Sequence, residues 1–195
     1  MKILTLALGE LQTNCYIVAS EKGNAFIVDP GDEAGVVRAA LEKNHFRACF
    51  IVNTHGHIDH IGADKALGLP VYIHNEDAEM ISDVSKNSST VVLGSFDPVV
   101  PERKLKDADH IVLDELDFEV IHTPGHTRGG ICLYAAGVLF SGDTLFYRGI
   151  GRTDLPDASD LLMEKSLQRL SKLPADTAVY PGHGPKTTIR REFGL

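Results

Sequence analysis

The chain has 195 residues, 43% hydrophobic and 24% charged, which is enough for one well-filled core and short for two, so a single domain over 1–195 is expected. Its net charge of −8, with no Lys/Arg-rich run, argues against nucleic acid as a partner, because binding phosphates needs concentrated positive charge. No apolar run approaches the ~18 residues of a membrane span, and Cys15, Cys49 and Cys132, without a C-x-x-C pair, read as reduced, buried thiols of a cytoplasmic protein.

In chain order, 3–8 and 14–19 read as strands. The first apolar stretch is too short for a secretion signal and lacks a small-residue cleavage site. Residues 21–24 turn the chain into a strand over 25–28, which Asp29-Pro30-Gly31 stops. Val36, Val37, Ala40 and Leu41 recur at helical spacing, with Asn44 near the end of that helix. A short buried strand, Cys49-Phe50-Ile51-Val52, follows. A short helix is expected over 61–67, broken at Gly68-Leu69-Pro70, and then a strand over 71–73. Asn75 reads as the N-cap of a helix carrying Ala78, Met80 and Ile81. From 82 to 109 the pattern weakens, which fits either a lid or a solvated connection.

Regular patterning returns with strands over 118–121, 131–134 and 138–140, the last two joined by a turn at Ala136-Gly137. An amphipathic helix over 160–171 has Asp157 and Ser159 as candidate caps. A last strand covers 177–180, and the tail from Thr187 reads as a helical turn. Strand pairs and helices in both halves predict two sheets covered by helices.

The chemistry gathers just past strand ends. Phe50-Ile51-Val52 leads into His55, His57, Asp59 and His60, a density of imidazole and carboxylate that suits zinc, iron or manganese. In extended chain His55 and His57 project to one side, while Asp59 and His60 turn elsewhere as a helix begins, which suits a second metal beside the first. Three further strands lead through short turns to His126, Asp143 and His183. Stiff turns at strand ends can bring such groups to one sheet edge. Seven of them suffice for two divalent metals with positions left open for water, unlike a closed structural site. Zinc is the expected metal, with iron or manganese as alternatives.

His55-Gly56-His57-Ile58-Asp59-His60 resembles the H-x-H-x-D-H signature of the metallo-β-lactamase superfamily. Thr123-Pro124-Gly125-His126, Ser141-Gly142-Asp143 and Pro181-Gly182-His183 resemble its other metal motifs in order, and Val28-Asp29-Pro30-Gly31 an earlier turn. The resemblance spans essentially the whole chain and implies a four-layer αββα sandwich. It further implies one metal on His55, His57 and His126, a second on Asp59, His60 and His183, and Asp143 bridging them together with a hydroxide. Asn14-Cys15-Tyr16, Gly142-Asp143-Thr144-Leu145-Phe146 and Gly151-Arg152-Thr153-Asp154 resemble the short, single-domain glyoxalase II-like hydrolases, which cleave thioesters of glutathione. The implied substrate is a small anionic thioester such as S-lactoylglutathione, with Asp59 also able to accept a proton. The alternative, an iron-dependent persulfide dioxygenase, shares the fold and the Gly-Arg-Thr-Asp segment.

Arg128, Arg152 and Lys186 follow ligand positions closely, so each is a candidate contact for an anionic substrate. The plainer readings are surface charge for Arg128 and Lys186, and an ion pair with Asp154 for Arg152. Asp29 is either a turn carboxylate or an orienter of a ligand, and Thr54 a brace of the histidine loop. His74 reads as a cap or rim residue, His45, His110 and His122 as surface or strand histidines, and Tyr147 and Tyr180 as candidates for a pocket wall, with core packing the plainer reading.

Overall fold

Apolar side chains on both faces of the strands dictate a layered fold. In the computed structural model, which describes residues 1–87 and 97–195, strand β2 (Thr13–Ala19) sends Cys15, Ile17 and Ala19 into one apolar cluster and Tyr16 and Val18 into another. Strand β3 (Asn24–Val28) does the same with Ala25 and Ile27 against Phe26 and Val28, and β4 (Arg47–Val52) with Ile51 against Phe50 and Val52. A period of two with both faces buried is the pattern of a sheet packed on each side.

Among the described residues the first sheet has the order β1-β2-β3-β4-β5-β6, completed by β1 (Lys2–Leu8), β5 (Val71–His74) and β6 (Arg103–Leu105). The second sheet, order β14-β13-β10-β9-β8-β7, is built from β7 (His110–Leu113), β8 (Leu116–His122), β9 (Ile131–Ala135), β10 (Val138–Gly142), β13 (Ala178–Pro181) and β14 (Thr187–Thr188). Phe26, Phe50, Phe118 and Phe140 meet between the sheets. Helices α1 (Ala34–Lys43), α2 (Ile58–Ile61) and α3 (Asp64–Leu67) cover the outer face of the first sheet. Helices α4 (Asp160–Leu170) and α5 (Ile189–Phe193) cover that of the second through Leu170 and Ile189. The architecture is the expected αββα sandwich. A small hairpin of β11 (Leu145–Phe146) and β12 (Gly149–Ile150) stands apart from both sheets.

Several local expectations need correction. The helix expected over 61–67 is two short helices divided at Gly62, which lies so close to the Gly31 carbonyl that a Cβ there would stand 2.2 Å from it. Asn75 caps no α-helix: the chain makes a single 3-10 turn, Asn75–Asp77, whose N-cap is His74, its Nδ1 accepting from the Glu76 N–H. Beyond it the chain continues in irregular turns, and the Asp77 carboxylate is drawn inward to bind three groups of neighbouring loops. The weak stretch 82–109 contains edge strand β6, pinned by parallel pairing to β5, a tertiary partner that no local pattern shows. Its central residues, 88–96, and with them the lid reading, lie outside the described residues. Strand β7 and the short β14 were likewise illegible, and both sit at sheet edges. Ser159, not Asp157, caps α4, and Cys49 is only partly buried while Cys15 and Cys132 are enclosed. No described helix is long and apolar enough to cross a membrane.

Candidate metal centre

Four strand ends deliver the chemical groups. Strand β4 runs into Asn53-Thr54 and then the loop and α2 that carry His55, His57, Asp59 and His60. The turn after β8 presents His126, the end of β10 presents Asp143, and the end of β13 presents His183. Because β10 and β13 are parallel neighbours, with Gly142 beside Pro181 in register, their following residues emerge side by side. Close approach is secured by glycine: a Cβ on Gly182 would lie 2.2 Å from Asp143 Oδ1, and one on Gly31 would meet the backbone of Asp59.

The seven groups converge. Ligand atoms of His55, His57 and His126 all lie within 4.8 Å of one another, as do those of Asp59, His60 and His183, and those of His55, His60 and Asp143. Asp143 lies between: its Oδ1 is 3.4 Å from His60 Nε2, and its Oδ2 is 3.5 Å from His126 Nε2 and 3.7 Å from His183 Nε2. His55 Nε2 and Asp143 Oδ1 are buried without a hydrogen-bond partner. A buried polar atom left unpaired is costly, and here both atoms are electron-pair donors facing a cluster of the same kind. That donor set fits divalent cations, with imidazole and carboxylate as borderline-hard ligands.

The surroundings fix which ring nitrogen each histidine can offer. Asp29 Oδ2 accepts from the Thr54 hydroxyl at 2.7 Å and from His60 Nδ1 at 3.0 Å. Since the Thr54 hydroxyl donates to Asp29, its oxygen accepts from His55 Nδ1 at 3.2 Å. His126 Nδ1 donates to the Arg152 carbonyl at 2.8 Å, and His183 Nδ1 to the Leu11 carbonyl at 3.2 Å. In each case the hydrogen bond at Nδ1 turns Nε2 inward, the arrangement that orients metal-binding histidines. His57 presents Nδ1, 2.9 Å from His126 Nε2. Asp59 Oδ2 accepts from the Thr13 hydroxyl at 3.1 Å and lies 3.2 Å from His183 Nε2.

Electrostatics divide the cluster. Burial and the neighbouring imidazoles lower His55, and burial with His126 brings His57 down to about 3. For His60, burial would lower the pKa, but Asp59, Asp143 and Asp29 outweigh it and hold the ring up to about 10. Burial likewise opposes the lowering of Asp59 by His60 and His183. The pH dependence of metal-stripped protein follows. His60 keeps a proton that the unfolded chain loses near pH ~6.5, so its stabilisation is complete below that pH and is lost as pH rises towards about 10. His57 has the opposite sign, contributing fully above pH ~6.5 and losing stability as pH falls towards about 3. Thermal melts in excess chelator are expected to peak near pH ~6.5 and fall on both sides. A flat profile between about pH 5 and 9 would contradict this charge distribution.

The candidate substrate contacts fall outside the cluster. Arg152 is exposed and its guanidinium pairs with both carboxylate oxygens of Asp154, at 2.7 and 2.8 Å, while its carbonyl holds His126. Arg128 pairs with Asp157 at 2.5 Å, and Lys186 lies over the Tyr180 ring. An open cavity of about 360 Å³ adjoins the centre, lined by His57, Met80, Thr127, Arg128 and Leu155 among others. Sequence reasoning missed Asp77, whose buried carboxylate accepts from Gly56 N–H, Thr127 Oγ1 and Gly129 N–H and so ties the His57 loop to the His126 loop. It missed the Leu11 and Arg152 carbonyls too, since any residue can supply one. His74 is buried and stacks on His122, ring centroids 4.1 Å apart, rather than standing at a rim.

A model of the metallo-beta-lactamase superfamily matches residues 8–183. The hydroxyacylglutathione hydrolase GloC of Haemophilus influenzae is 33% identical over 98% of this chain and 95% of its own length. Among solved structures, BLEG-1, a B3 metallo-beta-lactamase, is 34% identical with a TM-score of 0.93, covering 100% of this chain and 97% of its own. TTHA1623, solved in a di-iron-bound form, is 36% identical with a TM-score of 0.87, covering 97% and 96%.

Proposed function

The chain belongs to the metallo-beta-lactamase superfamily and is a metallo-hydrolase, and from that premise we propose that it cleaves thioesters of an anionic, glutathione-type thiol on two divalent cations, zinc in the first place. The observation that carries this reading is the meeting of two three-residue donor groups around Asp143. The full-length similarity to a hydroxyacylglutathione hydrolase supports the substrate class.

His55, His57 and His126 would hold one cation, Asp59, His60 and His183 the other, and Asp143 both. Bound there, such ions lower the pKa of water to about 7 and polarise a carbonyl oxygen. The chain's own contribution is orientation. Asp29, Thr54 and the Arg152 and Leu11 carbonyls hold four imidazoles with Nε2 inward, so little rearrangement is needed during reaction. In this reading Asp59, whose Oδ2 accepts from the Thr13 hydroxyl, would also take up a proton released at the centre. The cavity beside His57, with Met80 and Leu155 in its wall, offers room for the acyl group. A thiolate leaves readily, so the scheme requires no general acid on the leaving-group side.

The test is steady-state hydrolysis of S-lactoylglutathione and a panel of other thioesters by metal-loaded protein, with metal content measured on the same sample. Turnover is expected with about two ions per chain, and His57→Ala is expected to abolish it. Absence of turnover on every thioester would end the proposal, and oxygen uptake with glutathione persulfide by protein carrying a single iron would replace it with the dioxygenase reading.

A further inference from the structure

Away from the histidine cluster, an unexplained group of charged and aromatic side chains lies at the tip of the β11–β12 hairpin. Both legs of this hairpin touch the candidate centre. Phe146 packs edge-on to the His183 ring, with centroids 6.0 Å apart. Gly151, just past β12, is close enough that a Cβ would stand 1.9 Å from the Asp143 carbonyl oxygen and 3.2 Å from the His126 ring. The tip, Tyr147-Arg148, is thereby held next to residues that contact His183 and Asp143.

Arg148 adopts a left-handed backbone (φ 57°), and its N–H donates to Glu192 Oε2 at 2.8 Å. From α5, Arg191 Nη2 donates to the Tyr147 hydroxyl at 2.8 Å. The guanidinium carbons of Arg191 and Arg148 lie 4.6 and 5.3 Å from the Tyr147 ring centroid. Cation–π attraction holds each cation there, while their like charges oppose the pairing. Arg128, Arg152, Arg169 and Arg190 each pair with an aspartate. Among the described residues neither Arg148 nor Arg191 has a carboxylate at ion-pair distance, and the Glu192 carboxylate faces the Arg148 N–H and the Thr187 hydroxyl instead. In a chain of net charge −8, two such cations on one ring are a local reversal of sign.

We infer that Arg148 and Arg191, gathered on Tyr147, dock a carboxylate at the far end of the substrate's thiol portion. This assignment rests on the thioester reading above. A guanidinium presents a planar fork that matches a carboxylate, and the exposure of both arginines leaves that fork open to an incoming ligand. The contacts are solvated, so each contributes modestly and the pair acts as a selector rather than as the main source of affinity.

The experiment compares S-acetylglutathione, which carries free carboxylates, with S-acetyl-N-acetylcysteamine, which carries none, on metal-loaded wild type, Arg148→Ala, Arg191→Ala, the double variant and Arg191→Lys. The ratio of kcat/KM for the charged over the neutral thioester is expected to fall about two- to fivefold in each alanine variant through a higher KM, and further in the double variant. Arg191→Lys, which keeps the charge without the fork, should retain part of the selectivity. An unchanged ratio, or an equal loss on both substrates, would overturn the assignment. Should wild type cleave neither thioester, the thioester reading fails by itself. The carboxylate site is then decided by calorimetric binding of S-methylglutathione: weaker binding in the double variant upholds it, and equal binding, or none to wild type, overturns it.

Discussion

Asp143→Asn is expected to lower kcat/KM for a cleaved thioester by about 10²–10³-fold or more and to reduce the metal content towards one ion per chain. The substitution hardly changes volume, so the effect isolates charge. Asp143 Oδ1 faces His60 Nε2 and Oδ2 faces His126 and His183, so one carboxylate serves both donor groups. An amide provides a single acceptor oxygen, and its NH₂ would turn donor protons towards lone pairs that need a cation. Metal analysis after dialysis, together with kinetics on the same preparation, reads both consequences. Full occupancy by two ions with near-normal turnover would show that Asp143 does not join the two halves.

Asp29→Ala carries the second-largest expected effect. Asp29 touches no substrate in this scheme, yet its carboxylate accepts from the Thr54 N–H and hydroxyl at 2.7 Å and from His60 Nδ1 at 3.0 Å, all buried. Removing it unlocks the tautomers of His55 and His60 together and leaves His60 Nδ1 without its hydrogen-bond partner, while Asp59 and Asp143 still face the ring. Loss of such an orienting partner typically costs about 10–100-fold in metal affinity. Leaving a buried donor without its acceptor costs about 1–3 kcal/mol. Urea unfolding of metal-stripped protein reads the second quantity and competitive chelation the first. Asp29→Asn should restore part of the stability, since its oxygen can still accept from Thr54. An alanine variant that matched wild type in both measurements would reduce Asp29 to an ordinary turn residue.

Both predictions draw on features that the chain reveals unequally. The donor residues were legible because metal chemistry admits few side-chain types, and three histidines with an aspartate in one short stretch have few other uses. His126, Asp143 and His183 could be nominated for a similar reason: each follows an apolar strand and a short turn. Asp29 and Thr54 could be suspected as orienters, though not told apart from simple turn residues. Asp77 gave no signal, since an acid after Asn75-Glu76 looks like a solvated surface residue, and only the fold shows it buried between two loops.

Local pattern by itself determined the two-sheet layering, the strands that carry ligands and the identity of the ligand-type residues, because side-chain periodicity and donor chemistry are properties of neighbouring residues. Tertiary structure alone decided the rest: the edge strands β6, β7 and β14, the backbone carbonyls that set histidine tautomers, and the two arginines drawn onto Tyr147 from different parts of the chain. Each of these depends on a partner remote in sequence, and a contact made through space leaves no periodic trace in the segments that make it.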